Sequence, residues 1–162
     1  MGRARAGRRA AAEPADGRRG ALGGGRQVRA GMIALDACVL VRYLAQDDPG
    51  QSARATEFIE AELSAEHPGF LSQVALLELH WVLHRCYGQG RADWSRTLRG
   101  LLTARQIVVE NLPAAWNAML AYDEGMDFAE ALLAATAHTA GAHALATFDP
   151  ALARHPHVRL LA

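Results

Sequence analysis

Two aspartates stand at positions where a folded core would rarely place them. Asp36 ends the first apolar run of the chain, and Asp149 closely follows the late run ALAT. Both runs have the character of strands, and ligands of open α/β sheets bind at the edge formed by the carboxyl ends of the strands. Each aspartate alone could simply cap the next helix by accepting a hydrogen bond from a free backbone N–H. Together they predict two carboxylates at one edge of a sheet.

Glu78 lies in the segment QVALLELHWVL, residues 73–83, which is apolar on nearly all sides of a helix. We expect such a helix to be buried. An ionised carboxylate taken out of water is costly unless it is paired, so Glu78 requires a partner. The candidates are Arg42, Arg85 and a divalent cation, which would also draw other acids together.

A further pair of acids, Asp127 and Glu130, lies at the start of the segment MDFAEALLAATAHTAG. Their spacing is typical of a capping box, in which two side chains bond the free N–H groups at a helix start. A helix that starts at the same sheet edge would bring Glu130 near Asp36. Hard divalent ions relieve the repulsion between clustered carboxylates through oxygen ligands. We therefore predict a site for Mg²⁺, with Mn²⁺ as a substitute, and such sites suit the hydrolysis of phosphodiester bonds.

The elements that must position these acids alternate between short apolar runs and helical stretches. Strands are expected at 32–35, 70–72, 107–109, 143–147 and 157–160. Helices are expected at 38–46, 51–64, 73–87, 92–103, 113–123 and 128–140. This alternation predicts an α/β fold of three α/β/α layers, with a mainly parallel sheet of four or five strands covered by helices.

The composition predicts one folded domain preceded by a basic segment. Residues 1–31 carry eight arginines against two acids, whereas residues 32–162 carry nine arginines against 15 acids and have a net charge of −6. We expect residues 1–31 to be a disordered basic tail, or an upstream extension from a misplaced start codon, and residues 32–162 to fold. No apolar run is long enough to span a membrane, and two cysteines favour a reducing, cytoplasmic setting.

Four segments resemble the PIN-domain family, and within it the VapC-like toxin ribonucleases. They are MIALDACVLVRYLAQDDP, LLELHWVLHRCY, MDFAEALLAATAHTAG and ATFDPAL, and the resemblance spans residues 32–161. It implies a PIN-like fold in which four acids are the metal ligands and catalytic residues: Asp36, Glu78, Glu130 and Asp149. It also places Thr147 as the hydroxyl residue that accompanies the last acid, in contact with substrate.

The same resemblance implies a Mg²⁺-dependent endoribonuclease that hydrolyses RNA, is frequently a homodimer and is inhibited by a cognate antitoxin protein. An antitoxin segment would lie over the cleft, received by the helices at 38–46 and 51–64. Arg42 is a candidate to hold a substrate phosphate, on the basis of its position in the sequence alone.

Two departures from the family pattern leave an alternative open. The family usually has threonine or serine and then asparagine after the first acid, but this chain has Ala37 and Cys38. Glu130 stands where aspartate is usual, so the metal would shift or Asp127 would share its coordination. The alternative is a catalytically weakened or inactive PIN-fold module that binds an antitoxin or RNA. A haloacid dehalogenase-type phosphotransferase would need a second aspartate at the position of Cys38.

His80 and His84 have the spacing of two zinc ligands on a helix, but the HExxH glutamate is missing. We therefore expect them to be packing or surface histidines. The three tryptophans fall within helical segments, and we expect them to pack in the core or at interfaces: Trp81, Trp94 and Trp116.

Overall fold

A computed structural model of the protein describes residues 31–161. The expected basic tail therefore lies, apart from Gly31, outside the described residues. None of the helices within residues 31–161 combines the length and the apolar character needed to cross a bilayer.

Every expected strand and helix is present, with ends that shift by a few residues. The strands are β1 (Ile33–Ala34), β2 (Gly69–Leu71), β3 (Ile107–Val109), β4 (Leu145–Thr147) and β5 (Val158–Leu160). The helices are α1 (Ala37–Ala45), α2 (Pro49–Glu57), α3 (Gln73–Tyr87), α4 (Arg91–Thr103), α5 (Leu112–Asp123) and α6 (Phe128–Thr139). A π-helical turn, Phe58–Glu62, extends α2, and a short 3₁₀ helix, Leu152–Arg154, precedes β5.

The strands form two parallel ladders, which confirms the α/β class, but the sheet of four or five strands that the sequence predicts is divided into one of three strands and one of two. β2 lies between β1 and β3, so that Phe70 is aligned with Ala34 on one side and Val108 on the other. β4 and β5 pair separately, with Ala146 opposite Arg159. Helices connect the neighbouring strands of the larger sheet, as parallel pairs require, and flank it. All strands have only two or three residues, so helix packing must hold these ladders in place.

The inner face of α3 forms the centre of the core. Leu76, Leu79 and Leu83 follow each other at helical spacing and are buried. The rings of Trp94 on α4 and Phe128 on α6 lie beside them, with their centroids 5.0 Å apart. Because α1, α4 and α6 all contact α3, this helix is the central support of the domain.

The outer face of α3 is exposed, and the expectation that Glu78 is buried is therefore wrong. Val74 is 75% exposed, Trp81 is 57% exposed, and Glu78 between them is also exposed. Within residues 31–161 neither Arg42 nor Arg85 forms an ion pair with Glu78. The neighbouring helices cover only the leucine face, so water solvates the carboxylate and no buried partner is required.

Arg42 on α1 ties three parts of the chain together. Its guanidinium forms an ion pair with Asp47 at 2.6 Å and donates a hydrogen bond to Gln51 Oε1 at 2.9 Å. The hydroxyl of Tyr87, at the end of α3, donates to Asp47 Oδ2 at 2.5 Å. The turn between α1 and α2 is thereby fastened to α3.

We predict that the contribution of Asp47 to stability disappears in acid. Hydrogen bonds from Tyr87 and Arg42 hold the pKa of Asp47 below its usual value. A carboxylate of this kind stabilises the fold above its unfolded pKa of about 3.9 and loses that contribution as the pH falls through the folded pKa. Asp47→Asn should lower the urea midpoint of unfolding at pH 7, and the difference should narrow below about pH 4. A difference that is unchanged at low pH would contradict this assignment.

A second prediction concerns the core. Leu79 is fully buried, whereas Leu133 on α6 is 55% exposed. Leu79→Ala should lower the free energy of unfolding by about 2–5 kcal/mol, because it leaves a cavity at the centre of the domain. Leu133→Ala, the matched surface change, should stay within about 0.5 kcal/mol of the wild type. Urea unfolding measures both, and equal losses would show that α3 is not the central support.

Candidate functional site

Asp36 stands at the carboxyl end of β1, where it also begins α1. Leu35 still donates a backbone hydrogen bond to Phe70 O at 2.8 Å, so the ladder runs up to the residue before Asp36. The exposed Asp36 carboxylate then accepts a hydrogen bond from the backbone N–H of Cys38 at 3.3 Å through Oδ1. The capping interpretation of Asp36 is thus correct, and the cap fixes its carboxylate at the expected edge of the sheet.

The Cys38 thiol is affected by two of the candidate acids. Partial desolvation, a hydrogen bond to Asp36 and the charge of Asp36 raise the pKa of the Cys38 thiol. The negative charge of Glu78 adds to this increase in pKa. Asp36 begins α1, and α1 packs against α3, which carries Glu78, so the two acids belong to neighbouring helices.

Asp127 and Glu78 line one opening of about 690 Å³, which we call the α3 pocket. Its wall on α3 also contains His80, Trp81 and Arg85. The remaining residues that line it are Leu77, His84 and Ala129. The acids from α3 and from the start of α6 therefore face a common space.

Asp127 caps α6 through one oxygen. Its Oδ1 accepts hydrogen bonds from the backbone N–H groups of Ala129 at 2.8 Å and Glu130 at 3.3 Å. No hydrogen bond or ion pair within residues 31–161 engages its Oδ2. Glu130 is half-buried and does not line the α3 pocket. Of this pair of acids, Asp127 therefore shares the pocket with Glu78.

Asp149 and Thr147 build a tight turn after β4. The backbone N–H of Asp149 donates to Thr147 Oγ1 at 3.0 Å, and Asp149 Oδ1 accepts from the N–H of Ala151 at 2.8 Å. Asp149 is exposed, and Thr147 holds its backbone in place. The acid that follows β4 is thus oriented by the hydroxyl at the end of that strand.

Of the five candidate acids, Asp36, Glu78 and Asp127 are connected by helix packing or a shared pocket, and Glu130 and Asp149 are not part of this set. Residues 31–161 hold no group of three or more His, Cys, Asp or Glu side chains already arranged to ligate a metal. Packing of α1 against α3 places Asp36 and Glu78 on neighbouring helices, and the α3 pocket links Glu78 with Asp127. All are carboxylates, and oxygen ligands are the donors that Mg²⁺ prefers, so the donor chemistry fits that ion.

Two arginines near these acids, Arg42 and Arg85, differ in whether they form an ion pair within residues 31–161. The Arg42 guanidinium is paired with Asp47, so an RNA phosphate would have to compete with that carboxylate. Arg85 makes no ion pair or hydrogen bond with any part of residues 31–161, and its guanidinium lies over Trp81. Sequence reasoning did not single out Arg85 and Trp81 as pocket residues. The sequence did contain a signal for them: Trp81 and Arg85 follow Glu78 by three and seven residues, which puts all three on one helix face.

The histidines of α3 behave as expected. His80 packs against Trp94 and Phe128, with ring centroids 4.9 Å away in each case. Burial lowers the pKa of His80, and the charge of Asp127 opposes that decrease. His84 lies at the surface with Nδ1 2.9 Å from Gln89 O. The predicted packing and surface roles are confirmed.

A family model described as PIN domain matches residues 33–158 of this chain. The chain therefore belongs to the PIN domain family. PIN domains are generally Mg²⁺-dependent nucleases. A search of curated proteins and a search of solved structures each returned no significant match.

The capping role of Asp127 can be separated by substitution from the ligating role predicted for it. Asparagine caps a helix as well as aspartate, whereas alanine does not. Asp127→Ala should therefore lower the free energy of unfolding by about 0.5–2 kcal/mol, and Asp127→Asn by less than about 1 kcal/mol. Both remove a carboxylate from the α3 pocket, so both should weaken Mn²⁺ binding by about 10-fold. Calorimetric titration and urea unfolding measure these effects. Equal destabilisation by both variants would contradict the capping role.

Proposed function

We propose that this chain is a metal-dependent endoribonuclease and the toxin component of a toxin–antitoxin pair of the VapC-like type. The observation that carries the proposal is the α3 pocket, where Glu78 and Asp127 from two helices face a common space. Asp36 begins α1, which packs against α3, the helix that carries Glu78. Membership of the PIN domain family supports a nuclease.

In this proposal four acids would hold Mg²⁺, with Asp127 sharing the coordination: Asp36, Glu78, Glu130 and Asp149. When bound, the ion orients the scissile phosphate, stabilises its developing charge and lowers the pKa of the attacking water. The chain contributes the fixed orientation of the carboxylates. Backbone N–H groups hold one oxygen of Asp36, Asp127 and Asp149 and leave the carboxylates facing outward.

The residues around these acids support their orientation. Thr147 would act by holding the turn of Asp149, in addition to its proposed contact with substrate. Cys38 stands where the family pattern has asparagine, and its backbone N–H donates the hydrogen bond to Asp36 Oδ1 at 3.3 Å. A thiol is a weaker hydrogen-bond donor than an amide, so the side chain at this position offers Asp36 less support than the family pattern does.

An antitoxin partner fits the groove between α1 and α2. This cavity of about 240 Å³ is lined by apolar side chains, including Val39, Ala55 and Phe58, together with the charged Arg42 and Arg54. A groove lined by both apolar and charged side chains suits an amphipathic segment. The proposal also includes a homodimer, which the family resemblance implies.

We predict that the full chain cleaves a pool of structured RNA with Mg²⁺ or Mn²⁺ and not with EDTA. Asp36→Asn should reduce the cleavage rate by at least about 100-fold, because a lost ligand removes several kcal/mol of transition-state stabilisation. Glu66→Gln is the matched control, since Glu66 is an exposed acid outside the candidate site. Gel electrophoresis of labelled RNA gives the rates.

A folded chain that cleaves no RNA with either metal would overturn the enzyme proposal. The alternative, a PIN-fold module that binds RNA or an antitoxin without turnover, would then stand. Equal rates for Asp36→Asn and the wild type would instead show that the activity arises elsewhere.

A further inference from the structure

The outer face of α3 carries an acid, an indole and a guanidinium in one row. Glu78, Trp81 and Arg85 are separated by three and four residues, so they follow each other on the same side of the helix. Trp81 is 57% exposed, although tryptophan is usually well buried. An exposed indole at the mouth of a pocket points to a binding role.

Arg85 is available for a ligand. Its guanidinium lies over the Trp81 ring, 5.7 Å from the centroid, within the range of a cation–π contact. No carboxylate or carbonyl within residues 31–161 engages it. Arg42 differs, because Asp47 neutralises its charge. An unpaired guanidinium offers the forked donor geometry that binds a phosphate.

The α3 pocket can accommodate a small planar ligand next to these groups. Its volume of about 690 Å³ lies within the usual range of ligand sites. His80 forms part of its lining and is held in place by the rings of Trp94 and Phe128. The walls are mostly apolar, and the cationic side chain of Arg85 borders the acid Glu78.

We propose that the α3 pocket is a nucleotide subsite for single-stranded RNA, in which one base stacks on Trp81 and an adjacent phosphate binds Arg85. This inference rests on the proposed function, because it places a nucleotide beside Glu78. Residues 32–162 have a net charge of −6, which disfavours binding of RNA, so the unpaired positive charge of Arg85 supplies the local attraction that a phosphate requires at this acidic edge. Stacking on an aromatic side chain accepts every base, so the subsite binds single strands without strong base preference.

Binding measured without hydrolysis tests the subsite. The probes are a single-stranded RNA of about 12 nucleotides and an abasic oligonucleotide of the same length, both in EDTA. Trp81→Leu should weaken RNA binding by about 5- to 150-fold and leave binding of the abasic probe unchanged, because only stacking is lost. Trp81→Phe keeps an aromatic ring and should retain most of the affinity. The arginines of residues 1–31 are the same in every variant, so only differences between variants count.

The chain offers a matched control pair on other helices. The guanidinium of Arg99 lies over Trp116 at 5.8 Å from the ring centroid, outside the α3 pocket. Arg85→Gln should reduce the slope of log affinity against log salt by about 0.7, the loss of one phosphate contact, whereas Arg99→Gln should not. RNA should quench the tryptophan fluorescence of the wild type and of Trp116→Phe, and the quenching should be lost in Trp81→Phe.

Equal RNA affinity of Trp81→Leu and the wild type would overturn the subsite. If Trp81→Leu leaves RNA binding intact and instead changes the sedimentation of the chain, the surface is a protein interface. The cleavage assay remains independent of these readouts. If the wild type cleaves RNA with metal but Trp81 makes no contribution to RNA binding, the subsite alone is rejected. If Trp81 contributes to RNA binding but the wild type cleaves no RNA, the ribonuclease proposal alone is rejected.

Discussion

The free backbone N–H groups at the starts of two helices and a turn fix the carboxylates of the candidate site. Asp36, Asp127 and Asp149 each accept such a hydrogen bond through Oδ1. A cap stabilises its helix and at the same time orients the carboxylate. The same side chains therefore serve local folding and the proposed chemistry, and the positive end of each helix moderates the repulsion between the acids.

Helix α3 joins the core to the candidate site because its two faces meet different environments. Its leucines pack against three other helices, whereas Glu78 and Trp81 lie on the opposite, exposed face. A rigid core helix holds outward-facing groups in fixed positions, which a surface loop cannot do as accurately. The face of α3 that carries part of the candidate site is thus supported by the part of the protein that is buried most deeply.

The order of elements could be predicted from the sequence because short apolar runs and helical periods are local patterns. The exposure of Glu78 could not be predicted from the sequence. Apolar residues lie on nearly all sides of residues 73–83, and only the tertiary packing decides which of these sides is covered. Asp127 and Glu130 show the same limit: both were recognised at a helix start, but the direction of α6 determines which one lines the α3 pocket. The separation of β4 and β5 from the larger sheet also depends on long-range packing.

The most direct test of the account is a crystal structure of the full chain soaked with Mn²⁺, with the ion located by its anomalous scattering. The account predicts a peak coordinated by carboxylate oxygens that include those of Asp36 and Glu78. A peak bound only by histidines, or no peak at this edge of the sheet, would contradict it.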